Sequence, residues 1–188
     1  MGRWEPNARG RLAKAALELY SERGFEQTTV AEIARRAGLT ERTFFRHYAD
    51  KREVLFAGSG QLQELFVRAV AGAPESAAPI DAMAAGLDAV SEVFADRHDF
   101  ARARQAVIMA NTELQERELI KLASLAAALA DALRGRGVTE PAASLTAEAG
   151  VAVFKVGFER WIVAPEEHGM ARLMRESLAE LKAVTSGR

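Results

Sequence analysis

The sequence predicts an all-α protein built from a small N-terminal part and a larger C-terminal one. Three observations lead to this. Apolar residues recur at helical spacing along nearly the whole chain. β-Branched runs are sparse and alanine is abundant, so no strand pattern competes. Glycine and proline stand at the places where the helical pattern stops.

The first helix is predicted from about Asn7 to Arg23, with Leu12, Ala16, Leu19 and Tyr20 inward and Gly24 as its stop. Val30, Ile33, Ala34 and Ala37 then mark a short second helix. Thr29 is its N-cap, and Glu32 three residues on completes a capping box. Gly38 suits a left-handed residue that ends this helix. Thr40 caps a third helix with Phe44 and Tyr48 inside and Arg42 and Arg46 outside. Two short helices joined by a tight turn, the second outwardly basic, form the design of a helix-turn-helix. An ordinary helical hairpin with a solvated basic face has the same periodicity.

A fourth helix is expected from Lys51, capped by Asp50, carrying Val54, Leu55, Leu62, Leu65, Phe66 and Val70. Its length would take it out of the first part and into the second. Residues 71–74 and Pro79 break it. Ile80, Met83, Leu87, Val90 and Phe94 mark the next helix. Phe100, Val107, Ile108 and Leu114 mark another, interrupted near Asn111. A stripe from Leu119 through Leu122, Leu125 and Leu129 to Leu133 stops at Gly135-Arg136-Gly137. After Pro141 comes a helix whose apolar residues between Ala149 and Val163 go nearly all round, so it needs cover on two sides. A twin subunit or the middle of a monomeric bundle would supply that cover. The last helix, about Gly169 to Val184, has Met170, Leu173, Met174, Leu178 and Leu181 on one face.

Composition bounds the function. The 188 residues carry a formal net charge of −1. Residues 1–56 hold a net +3 and the remainder −4, so the basic excess lies where the helix-turn-helix lies. It is modest, and DNA affinity should rest on a few placed contacts. No apolar run is long enough for a membrane span and the N-terminus lacks a signal-peptide core. No cysteine is present, and His47, His98 and His168 are far apart, so no metal site or cofactor is expected. A cytoplasmic location fits. No Ser/His/Asp grouping, phosphate loop or carboxylate cluster with a histidine base is found, and no enzyme is expected.

Within the motif, Arg42 is the expected base reader, since a guanidinium grips guanine O6 and N7; a phosphate contact is its alternative. Arg46 suits a base or a phosphate. Glu41 can accept from a cytosine amine, or simply favour a helix N-terminus. Thr43 suits a thymine methyl or a phosphate. Thr28, Thr29 and Thr40 can hydrogen-bond phosphates while capping helices, the cap alone being the simpler role. Arg3, Arg9 and Arg11 lie in or near an N-terminal arm able to enter a minor groove.

The string Thr28-Thr29-Val30, Ile33-Ala34, Ala37-Gly38-Leu39-Thr40, Thr43-Phe44-Phe45-Arg46-His47-Tyr48, Lys51 and Leu55 closely resembles the DNA-binding domain of the TetR family of bacterial transcription regulators. The resemblance runs without a gap from about Arg11 to Phe56. It implies a helix-turn-helix DNA-binding domain at 1–56 and a helical ligand-binding and dimerisation domain at 57–188. His47 and Lys51 match positions that hold the DNA backbone. Phe45 departs from the family's usual tyrosine and loses a hydroxyl contact to phosphate. The family further implies a homodimer through the last two helices, a double-stranded operator, and a small-molecule effector held between helices. Binding would shift the long helix beginning near Lys51 and release the operator. The expected cavity residues are Met83, Leu87, Val90, Phe94, Arg104, Val107, Asn111, Leu122, Phe154, Phe158 and Trp161, with Arg104 and Asn111 orienting the ligand. The segments from Phe100 to Val138 and Phe154 to Trp161 resemble an actinobacterial branch with members that answer to acyl-CoA esters. A flat aromatic metabolite would suit the same lining. A ligand-independent regulator with a filled core is the alternative.

Overall fold

A computed structural model describes residues 7–165 and 168–187; Arg3 lies outside them. The described residues form nine α-helices and one 3-10 turn. The helices are α1 (Ala8–Arg23), α2 (Val30–Arg36), α3 (Glu41–His47), α4 (Ser59–Ala71), α5 (Pro79–Val93), α6 (His98–Met109), α7 (Thr112–Gly135), α8 (Ala142–Val163) and α9 (Met170–Thr185). The 3-10 turn, Glu53–Phe56, lies between α3 and α4. The all-α expectation holds.

The chain divides into two compact units. The first runs to Gly58 and takes in Ala103–Glu118; the second comprises Ser59–Arg102 and the chain from Leu119. Residues 103–118 were expected in the larger domain. They join the first unit because Val107, Ile108 and Leu114, at the corner between α6 and α7, are buried in one apolar cluster with Leu12, Leu19, Phe25, Ile33, Phe44 and Phe56. Helices α6 and α7 therefore each begin or end in a different unit.

The long helix expected from Lys51 is two elements. Asp50 does cap a turn there, accepting from the backbone N–H groups of Arg52 (2.8 Å) and Glu53 (3.1 Å). That turn is the 3-10 segment, and α4 starts afresh at Ser59. Gly58 and Gly60 flank the break, and glycine has the poorest helix propensity after proline.

In the second unit α5 packs against α4, α8 and α9. Phe66, Met83, Val90, Leu129, Leu133 and Met174 are fully buried there. Two glycines allow the close approach. A Cβ on Gly86 would lie 2.3 Å from the Phe66 ring, and one on Gly150 would lie 2.4 Å from Met83. Gly86→Ala is expected to destabilise this unit by about 1–3 kcal/mol, the range for overpacking a filled core. Urea unfolding checks it; an unchanged midpoint would mean that the Phe66 ring moves aside at little cost.

Candidate functional site

The turn between α2 and α3 is fixed by backbone geometry. Gly38 has φ 67°, its N–H donates to Arg35 O (3.0 Å), and the Leu39 N–H donates to Ala34 O (2.8 Å). This is a glycine-ended helix stop that satisfies the last carbonyls of α2. Thr40 then caps α3 by accepting from the Thr43 N–H at 3.2 Å. At the other end of α2 the capping box is complete. Thr29 Oγ1 accepts from the Glu32 N–H (3.3 Å), while the Thr29 N–H donates to Glu32 Oε2 (2.9 Å). Those bonds from Thr29, with Arg23 nearby, hold the Glu32 carboxyl below its usual range.

Helix α3 has two faces. Phe44 and Tyr48 are buried, and the Tyr48 hydroxyl donates to Arg9 O at 3.0 Å. Glu41, Arg42, Phe45 and Arg46 are exposed. Arg42, Thr43, Phe45 and Arg46 line a shallow surface depression. Neighbouring arginines are neutralised: Arg36 by Glu18 and Glu22, Arg23 by Glu32, and Arg52 by Asp50. Among the described residues no acidic side chain pairs with Arg42 or Arg46. Their charge is free for an anionic ligand.

Two residues expected at phosphates are committed elsewhere. Thr28 is buried, with its hydroxyl donating to Gly24 O at 2.9 Å. Lys51 Nζ donates to three carbonyls, of Phe25 (2.9 Å), Thr28 (3.2 Å) and Glu26 (3.3 Å), and lies 4.3 Å from the Phe25 ring centre. An ammonium has three N–H bonds, and all are used. His47 is half-buried, and its buried Nε2 has no hydrogen-bond partner.

Of the residues expected to hold a ligand, the structure brings Met83, Leu87, Val90, Phe94, Leu122, Phe154, Phe158 and Trp161 into one cluster of the second unit. Arg104, Val107 and Asn111 belong to the first unit instead. The Arg104 Nε–H donates to Leu55 O (2.8 Å), its Nη1 meets Glu118 (3.2 Å), and its guanidinium lies over the Phe56 ring. Burial pushes this guanidinium below its ordinary pKa, and Glu118 opposes the shift. Asn111 donates to Val107 O at 2.7 Å, satisfying the carbonyl end of α6. Both polar groups are spent on structure.

Sequence reading missed His98. It is buried, edge-on to Trp161 with ring centres 4.9 Å apart, and its Nε2 lies 3.0 Å from Trp161 O. A carbonyl only accepts, so Nε2 carries a proton, and in the neutral ring Nδ1 is then the acceptor. That Nδ1 is buried without a partner. Phe94 and Phe158, partly buried, also meet Trp161, each with ring centres 5.8 Å away. His98 and Trp161 are far apart in sequence, so no local pattern reports the pair.

The fold and the α3 face define a helix-turn-helix DNA-binding regulator. The model for bacterial regulatory proteins of the tetR family matches residues 12–57, and that for the MftR C-terminal domain matches residues 77–186. The chain belongs to the TetR family, with a C-terminal domain of the MftR type. That family is one of bacterial regulatory proteins. It is 39% identical over 82 residues to the HTH-type transcriptional regulator TcmR of Streptomyces glaucescens, a match covering 44% of this chain and 36% of that protein. The chain thus spans little more than a third of this curated relative in the match. FadR of Thermus thermophilus in complex with lauroyl-CoA has a TM-score of 0.57 at 26% identity, covering 93% of each chain. FadR of Bacillus subtilis in complex with stearoyl-CoA has a TM-score of 0.64 at 19% identity, covering 92% of this chain and 96% of that one. Among the described residues no helix is long and apolar enough to cross a membrane.

Lys51→Met is expected to destabilise the first unit by about 1–3 kcal/mol, because three carbonyls, two of them part-buried, lose a charged donor. The salt dependence of DNA binding should keep its slope. Thermal unfolding and salt titration check both; a slope lowered by about one would restore Lys51 to the phosphate contacts.

Proposed function

We propose that the protein is a repressor that binds a palindromic operator as a homodimer and is released by a small amphipathic effector. The observation that carries this reading is the exposed face of α3, where Arg42 and Arg46 have no acidic partner among the described residues. Arg42 grips guanine in the major groove, and Arg46 takes an adjacent base or phosphate. Thr43 and Phe45 touch the groove between them. Thr29, Thr40 and His47 border phosphates, and Glu41 faces a cytosine amine.

A second copy covers α8. Leu145, Ala152, Val156 and Val163 lie along one exposed stripe of that helix, at steps of about one or two turns. Val163 is 81% exposed and Leu145 66%, much apolar surface for a helix end to leave in water. Twofold pairing presents two copies of α3 to successive major grooves, which is why the operator should be a palindrome. The protein acts on genomic DNA in the cytoplasm.

The effector enters the cluster around Phe94, Phe158 and Trp161. An apolar chain or ring replaces aromatic contacts there, and a donor group on it reaches His98 Nδ1. The lauroyl-CoA complex of the Thermus relative supports an acyl ester. The α6 helix runs from His98 into the first unit, where Arg104 is bound to Leu55 O, so a shift at its start reaches the DNA-binding core along one helix. The burial of Met83, Val90, Leu129 and Leu133 favours a second reading, a regulator that needs no ligand. A thermal-shift series with acyl-CoA esters separates the two. A ligand that raises stability and lowers operator affinity supports the sensor; no such ligand supports the second reading.

Capture of fragmented genomic DNA by the purified protein, followed by sequencing, should enrich a short palindrome. Arg42→Ala should then cost about 1–3 kcal/mol and relax base choice at one position per half-site. Unchanged affinity and specificity would remove Arg42 as a reader. Val156→Glu should convert a dimer to a monomer in sedimentation; a dimer that persists would place the interface elsewhere.

A further inference from the structure

Phe45 is a large aromatic side chain left 55% exposed in the middle of a basic helix face. Its ring lies edge-on to the buried Phe44, with ring centres 5.5 Å apart, so it is held rather than loose. It forms one wall of the depression that Arg42, Thr43 and Arg46 complete. Thr43 Oγ1 is 3.1 Å from Thr40 Oγ1, so its hydroxyl already has a partner. The floor of this depression therefore offers carbon, and its rim offers two guanidinium groups.

Phenylalanine has no hydrogen-bonding group and cannot hold a phosphate. The major groove presents one apolar feature at this scale, the 5-methyl group of thymine. We infer that Phe45 is a specificity-determining residue that reads a thymine methyl, next to the base gripped by Arg42. This rests on the proposed use of α3 in the major groove. Residues three apart on a helix are neighbours on its surface, so Arg42 and Phe45 fall on the same or adjacent base pairs. The chain thus reads guanine by charge and hydrogen bonds, and thymine by shape.

The test uses the full-length protein and the palindrome recovered by genomic capture. Each thymine is replaced in turn by deoxyuridine, which removes the methyl and leaves base pairing intact. At one symmetric position the wild-type protein should lose about four-fold in affinity, the worth of one buried methyl. Phe45→Ala should bind the unmodified operator more weakly and be indifferent to that replacement. Phe45→Tyr, which keeps the ring, should retain the loss. Every position tolerating deoxyuridine would overturn the inference, as would a Phe45→Ala protein that loses as much as the wild type. A wild-type protein that enriches no DNA would overturn both this inference and the regulator reading, whereas methyl-independent binding overturns this inference alone. Because Phe45 is exposed, circular dichroism should show unchanged unfolding for both variants.

Discussion

The DNA-binding unit depends on one half-buried cation. The Lys51 ammonium collects the carbonyls of Phe25, Glu26 and Thr28, and so ties the chain leaving α3 to the chain entering α2. The Tyr20 hydroxyl returns the tie by donating to Lys51 O at 2.6 Å. Burial, with the nearby Asp50 charge, pushes that phenol well above its ordinary pKa, so it stays a donor at any physiological pH. These bonds fix both ends of the α2–α3 pair. The pair itself is too short to be stable alone, since helices of seven residues fall below the length at which propensity suffices. What orients Arg42 and Arg46 is therefore the packing beneath them, and their own helix contributes little.

A second tie fastens the corner between α6 and α7 to the same unit. Arg104 bonds Leu55 O and Glu118, and Arg117 pairs with Glu53. A largely buried ion pair adds little net stability over apolar packing, but losing one partner costs about 3–5 kcal/mol because the other charge is stranded.

Local patterns in the sequence reported local structure well. The capping box at Thr29–Glu32, the left-handed Gly38, the Thr40 cap and the outward Arg42 and Arg46 all follow from residues within four positions of each other. Distant contacts are what local patterns do not report. Lys51 looks like a free cation until Phe25 and Thr28 are brought beside it. Arg104 looks like a polar guest in an apolar helix until Leu55 and Glu118 close on it. Residues 103–118 read as more of the larger domain because their apolar spacing is that of any helix, and spacing does not say which core it serves. The break at Gly58 was legible in principle, since two glycines in three positions weaken a helix, but the continuing apolar stripe outweighed it.

The buried core of the second unit sets a condition on any effector. Opening space in a packed interior costs roughly 24 cal/mol per Å³, so about 100 Å³ would cost about 2.4 kcal/mol before any contact is made. Burial of the effector's own apolar surface, at about 25 cal/mol per Å², offsets this readily for a long chain and poorly for a small polar molecule. Stabilisation alone does not release an operator. A hundred-fold drop in DNA affinity requires the effector to prefer the released conformation by about 2.7 kcal/mol. His98 sits where such a preference can arise: Nδ1 is an unmet acceptor at the first residue of the helix that leads to Arg104. An effector that donates to it would gain a buried hydrogen bond, and that bond would favour operator release only so far as the DNA-fitting conformation lacks it.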